Sequence, residues 1–234
     1  MLILSLESSA KPSSVAVCRD GELLGLYFQN SGLNHSHTLM KMAEALLQNL
    51  GVAPSELGLV AVSHGPGSFT GVRIGVSAAK GLAWGLGIPV CGVSTLEAMA
   101  YQATEPGLIL SPVMDARRGQ VYNALFEWRE GTLVRLREDR AIPLDDLAAD
   151  IASDAFASTL PVCLIGDGTS IAHEHFLSLG INHRIPQNLV RWQTAYGVAL
   201  AAAAAGSVPA AELEPRYLRP SQAERVRNER QGNG

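Results

Sequence analysis

A chain of 234 residues that is 47% hydrophobic and 17% charged can bury a sizeable core, which excludes a disordered polypeptide. Its formal net charge of −4 excludes a general nucleic-acid-coating protein. Three cysteines, Cys18, Cys91 and Cys163, lie far apart in apolar runs without metal or redox spacing, and read as buried thiols of a reducing compartment. The apolar start at residues 2–6 is too short for a secretory signal and lacks a basic lead. The alanine-rich run at 199–205 is closed by Gly206 and Pro209 and does not read as a membrane span, so a soluble cytoplasmic protein is expected.

In chain order, residues 2–7 form a first strand, followed by a serine-rich turn. Residues 14–18 and 23–29 form two more strands around an Asp20-Gly21 hairpin signal. A helix spans 37–50, with Leu39, Ala43, Leu46 and Leu50 on one face and Gly51 as its stop. A strand at 59–62 runs into Ser63-His64-Gly65-Pro66-Gly67-Ser68-Phe69-Thr70 and then a long helix to residue 86, with Ser68 or Thr70 as cap. A strand at 88–93 and a short helix capped by Ser94-Thr95 complete a first half. The pattern then restarts at Pro106-Gly107: strands at 108–115, 120–128 and 132–137, a helix at 145–153, a strand at 161–165, and helices at 170–179 and 194–205. The two halves echo each other, which predicts two related α/β domains. The divisions expected are 1–100, 101–213, and an extended basic tail at 214–234.

The helix expected at 71–86 carries two stripes. Val72, Val76, Ala79, Ala83 and Leu86 make a core-facing one. Gly71, Gly75, Ala78, Gly81 and Gly85 make a second, and each helical glycine costs about 1 kcal/mol against alanine. Two compensations are open: tight packing inside the same domain, or close approach of a partner subunit.

Catalytic templates fail on named residues. Counting from Gly65, the sixth position is Thr70, which breaks both the Walker A and the dinucleotide fingerprints. Pro66 stands where a nucleophile elbow needs glycine. An anion at the helix N-terminus stays open. His35 and His37, like His173 and His175, are spaced i, i+2, whereas a helical metal pair needs i, i+4. Glu7 and Asp115 each end a strand beside a small polar turn, and Gly166-Asp167-Gly168 would let a nucleotide approach, or all three are ordinary turn chemistry. Arg117-Arg118 reads as a salt-bridged turn or an anion contact. The tail, with Arg216, Arg219, Arg225, Arg227 and Arg230 against Glu224 and Glu229, reads as a contact for RNA or an acidic partner, or as a solvated terminus.

The run Gly65-Pro-Gly-Ser-Phe-Thr-Gly-Val-Arg-Ile-Gly75 closely resembles the signature of the bacterial TsaB (YeaZ) proteins. So do Met114-Asp-Ala-Arg-Arg-Gly-Gln-Val-Tyr122, Ile165-Gly-Asp-Gly168 and Pro215-Arg-Tyr-Leu-Arg219, in the family's order across nearly the whole chain. The resemblance implies an α/β fold of the actin/Hsp70/sugar-kinase (ASKHA) type, two lobes each built on a mixed sheet with flanking helices. It implies a non-catalytic scaffold or activator that pairs with the paralogue TsaD and is joined by the ATPase TsaE. Together these transfer threonylcarbamoyl from threonylcarbamoyl-AMP to the adenosine beside the anticodon of tRNA. Contact with tRNA is then indirect, through the complex, and a homodimer forms when TsaD is absent. No catalytic residue, metal or cofactor is implied for this subunit, beyond weak ATP/ADP or magnesium binding at the partner interface.

TsaD-like proteins hold a metal through His-x-x-x-His on the first long helix; four residues after His35 this chain has Leu39. Glu7 stands where the family's first strand commonly ends in Asp-Thr-Ser. The residues carried over are Leu39, Ala43, Leu46, Gly71, Gly75, Ala78, Gly81 and Gly85 for the partner interface. Glu7, Ser8, Asp115, Gly166 and Gly168 are those of a vestigial nucleotide cleft. The alternative is an independent ATP-dependent phosphotransferase of the same superfamily.

Overall fold

A computed structural model describes residues 1–32, 34–153 and 160–219. The first sheet is built from β1 (Leu2–Glu7), β2 (Ser13–Arg19), β3 (Glu22–Gln29), β4 (Leu59–Gly65) and β5 (Val90–Ser94), in the order β3-β2-β1-β4-β5. The second uses β6 (Ile109–Arg117), β7 (Gln120–Arg129), β8 (Thr132–Pro143), β9 (Val162–Ile165) and β10 (His183–Arg184), in the order β10-β9-β6-β7-β8. Each sheet is an antiparallel three-strand meander whose first strand then receives parallel strands on its other side. The echo between the halves is thus a repeated topology.

Burial of β1 on both faces explains its apolar run, which only Ser5 interrupts before Glu7 closes the strand. Side chains alternate across a strand. Leu4 and Leu6 meet Val72, Val76 and Ala79 of α2 (Phe69–Leu86) and Leu39 and Leu46 of α1 (His35–Leu50). On the opposite face, Ile3, Ala61 and Val93 meet Val198, Ala201 and Ala202 of α6 (Ala195–Ala204). The alanines of α6 permit this close approach, and a side chain at Gly197 would stand 2.2 Å from Ala98 O. The short helix α3 (Thr95–Tyr101) packs beside α6 and touches β6. In the second lobe, Leu147 and Ile151 of α4 (Leu144–Ala152) and Phe176 of α5 (Thr169–Ser178) cover one face of the sheet. Met99 and Leu96 of α3 reach the other.

Asn34 and Ser68 cap α1 and α2, accepting from Ser36 N and Gly71 N, and Gly51 and Gly87 end them in the left-handed conformation. The third strand of the second meander runs to Pro143, well past the expected 137, because register shifts at Asn123 and Leu125 absorb its break in alternation. β10 carried no strand signal of its own.

A division at residue 213 does not follow the packing. The chain re-enters the first lobe at α6, Val208 bridges to Val90 on the first sheet's edge, and Lys80 Nζ donates to Ala211 O and Leu213 O at 3.0 and 2.9 Å. Of the expected tail, residues 214–219 are docked, and 220–234, with Arg225, Arg227 and Arg230, lie outside the described residues. Among the described residues no helix is long and apolar enough to cross a membrane.

Candidate functional site

The end of β1 is filled by its own side chains. Glu7 is 1% exposed. Its Oε1 accepts from Ser9 N–H and Ser9 Oγ, both at 2.6 Å, and its Oε2 accepts from Ser63 Oγ on β4. Burial raises its pKa above the usual carboxylate range, while the bonds from Ser63 and Ser9 and the nearby His35 oppose the rise. Ser8 Oγ donates to Gly71 O at 2.9 Å, and Ser68 N–H to Ser9 O at 2.6 Å. The first loop is therefore laced to the start of α2, and an open phosphate cradle does not fit these residues.

The same lacing settles half of the glycine stripe. A side chain on Gly71 would stand 2.1 Å from Ser8 O, and one on Gly75 2.5 Å from Ser8 Oγ. These two glycines accommodate the chain's own first loop, which corrects their expected place at a partner. Gly81 and Gly85 are exposed, with nothing within 4 Å of where a side chain would begin. Ala78, three residues before Gly81, is half-buried.

Leu39, Ala43 and Leu46 also need correction as interface residues: they are 1%, 1% and 2% exposed, turned onto the first sheet. Each helix has one apolar stripe, and the sheet has taken it. What α1 and α2 present outward is an open groove of about 530 Å³, lined by Met40, Phe69, Arg73, Ile74, Ser77 and Ala78 among others. Further along α2, Trp84 is 73% exposed. Sequence periodicity missed Met40, Ile74 and Trp84; a tryptophan on the non-core face of α2 was the available signal.

Metal ligation does not fit the first helix. His35 Nε2–H donates to Ala10 O at 2.9 Å, and the position four residues on is a core leucine. His173 pairs instead with His183, Nδ1 to Nε2 at 2.7 Å, and His175 faces Asp145.

In the second lobe, Gly166 and Gly168 are buried against β6, where side chains would stand 2.3 Å from Val113 O and 2.9 Å from Met114 C. Their close approach is to a strand of the same chain. Asp115 is exposed and accepts Arg117 N–H at 2.6 Å, an ordinary Asx turn. Asp167 has its pKa raised, chiefly by burial, with a smaller contribution from Asp115 and an opposing bond from Gln193. Asp115, Gly166 and Gly168 are thus brought together. Glu7 and Ser8 are bonded instead to β4 and α2.

Comparison with known proteins agrees with this two-lobed arrangement. A family model described as TsaD, tRNA N6-adenosine threonylcarbamoyltransferase, matches residues 29–224. The Bacillus subtilis (strain 168) tRNA threonylcarbamoyladenosine biosynthesis protein TsaB is 36% identical over 171 residues, 73% of this chain and 73% of that protein. The chain belongs to the TsaB family. Escherichia coli (strain K12) TsaB is 34% identical over 145 residues, 61% of this chain and 62% of its own length. The solved structure of YeaZ from Pseudomonas aeruginosa superposes with a TM-score of 0.76 at 26% identity, covering 93% of this chain and 99% of that one. The fold is of the actin/Hsp70/sugar-kinase type, as the motif resemblance implied. Within this TsaB-type chain, the self-filled first loop and the outward groove of α1 and α2 are the two features with functional content.

Proposed function

We propose that this chain is a non-catalytic scaffold and activator in tRNA threonylcarbamoyladenosine biosynthesis. In this reading it binds a TsaD-type transferase, with a TsaE-type ATPase joining the assembly, and acts in the cytoplasm. The threonylcarbamoyl group passes from threonylcarbamoyl-AMP to the adenosine beside the anticodon on the partner, not here. The observation that carries the reading is the outward face of α1 and α2. It offers an open groove with Met40 and Ile74, an exposed Trp84, and two bare helical glycines, Gly81 and Gly85. A solvent-facing helix has no internal reason to keep two glycines at about 1 kcal/mol each, and close approach of a partner helix supplies one. The enclosed Glu7 supports the non-catalytic part, because its carboxylate is buried and engaged by Ser9 and Ser63 of the same chain. A second copy of the chain would use the same face when the transferase is absent.

Reconstitution tests it: purified partner proteins, tRNA and threonylcarbamoyl-AMP, with and without this chain. Modification is expected only when the chain is present, and full-rate modification without it would remove the proposal. Binding of Mg-ATP with turnover by the chain alone would favour an independent phosphotransferase.

A further inference from the structure

The segment that returns from α6 gathers guanidinium groups into a strip that starts at the edge of the α1/α2 groove, where Phe69 and Arg73 belong to both. Arg216 N–H donates to His64 O at 2.7 Å. The Tyr217 hydroxyl accepts from Arg73 Nε at 2.8 Å, and Arg219 Nη1 donates to Ala116 O at 2.9 Å, beside the turn between β6 and β7. These contacts lead the chain from α2 to that turn, and residues 216–219 can span no more than about 10 Å. Arg73, Arg216, Arg219 and the turn residues Arg117 and Arg118 therefore share one strip, with Tyr217 stacked on Phe69 at 4.7 Å in its middle.

The strip is not neutralised from within. Elsewhere Arg129, Arg135, Arg137, Arg140 and Arg184 each hold a carboxylate. Among the described residues Arg73, Arg117, Arg118 and Arg219 have no carboxylate at ion-pair distance; their contacts are a ring, a hydroxyl and a carbonyl oxygen. Arg216 reaches Asp139 only at 3.9 Å, and that carboxylate is already engaged by Arg135 and Ser94. Arg117 and Arg118 are exposed, at φ of 65° and 57°: Arg117 ends β6 opposite Gln120 and Arg118-Gly119 is the two-residue turn, so both arginines hold left-handed backbone that Asn or Gly would favour. Asp115 fixes that turn through the backbone of Arg117 and leaves both guanidinium groups outward.

We infer that this strip contacts the phosphate backbone of tRNA directly, so that the subunit helps to hold the substrate as well as the transferase. The inference rests on the function proposed above, which supplies tRNA as the nucleic acid at hand. Guanidinium forks match phosphate oxygens in pairs. The exposed Tyr217 ring beside Arg73 adds the aromatic surface that RNA contacts use and that an acidic protein surface would not need. The concentration of unpaired arginine on a chain of net charge −4 makes the contact local rather than a general affinity.

The test is titration of labelled tRNA, over a range of salt, onto the full chain assembled with its TsaD-type protein. The Arg117→Asn/Arg118→Gly double variant removes two charges and suits both left-handed positions, so the turn is kept. Its tRNA affinity is expected to fall about ten-fold or more at low salt, and the slope of log K against log salt to become shallower by about 2. Arg117→Lys/Arg118→Lys is expected to retain most of the binding. Assembly by size exclusion should be unchanged. Wild-type affinity and slope in the Asn/Gly variant would overturn the inference. So would lost assembly with tRNA affinity per assembled complex unchanged, which would make the strip a protein contact. If the wild-type chain fails to assemble at all, the parent proposal fails, and the same titration on the chain alone still decides the strip.

Discussion

Glu7 illustrates how a strand-end acid is occupied by its own chain. Its folded-state pKa is raised, burial being the main cause, so the folded protein holds this proton more tightly than the unfolded chain does. The stabilisation this gives is fully present below the unfolded value of 4.5 and is lost as pH rises through the folded value. Glu7→Gln keeps an acceptor for Ser9 and removes the buried charge. It is expected to flatten the dependence of melting temperature on pH above 4.5, and to leave tRNA modification in the reconstituted system intact. An unchanged pH profile would contradict this account of Glu7, and lost modification would return it to the chemistry. The cysteines belong to the same scale. Burial pushes the Cys18 and Cys91 thiols up to about 11 and raises Cys163 as well, so almost no thiolate exists at neutral pH. Alkylation at pH 7.5 followed by mass spectrometry is expected to leave all three unmodified in the native chain and to modify them in denaturant.

At the scale of the element, α2 holds glycines of two kinds, and substitution separates them. Gly75→Leu would drive a side chain into Ser8 and Val62 and is expected to lower the stability of the isolated chain by about 2 kcal/mol or more, read by chemical denaturation. Gly81→Leu meets nothing and is expected to raise it by up to about 1 kcal/mol. A loss of partner binding in Gly75→Leu would therefore say nothing about the interface, whereas the same loss in Gly81→Leu would.

Much of this helix was legible in the sequence. Val72, Val76, Ala79 and Ala83 as core follow from a 3.6-residue period, and capping chemistry narrowed the start to Ser68 or Thr70, of which Ser68 is the cap. The same period misassigned Leu39, Ala43 and Leu46. Periodicity says which residues share a face, not whether sheet or partner covers it, and the sheet claims the apolar stripe first. The groove lining was illegible, and the arginine strip was legible only in pieces, Arg117-Arg118 as a turn or anion contact and Arg216 and Arg219 as part of a basic tail, for another reason. Arg73 meets Tyr217 across 144 residues of sequence, a contact that only the return of the chain after α6 creates.

For the whole molecule, the lobes are joined by an ionic knot as well as by apolar packing. Asp139 of β8 accepts from Ser94 Oγ and Arg135 Nη1, both at 2.6 Å, and Arg135 Nη2 reaches Glu97 of α3 at 2.8 Å. The Asp139 side chain is fully enclosed and that of Arg135 is 22% exposed. Asp139→Ala would leave the Arg135 charge poorly paired and is expected to cost about 3 kcal/mol in denaturant titration. An effect below about 1 kcal/mol would mean that the knot contributes little to joining the lobes. A fixed lobe arrangement suits a scaffold, whose task is to present one face of α1 and α2 to another protein. The measurement that tests that claim most directly is assembly and tRNA modification by the Gly81→Leu/Gly85→Leu double variant beside the wild type. The account predicts a chain that melts no lower than the wild type, does not assemble with the TsaD-type protein, and does not support modification. A double variant that assembles and supports modification as the wild type does would contradict it.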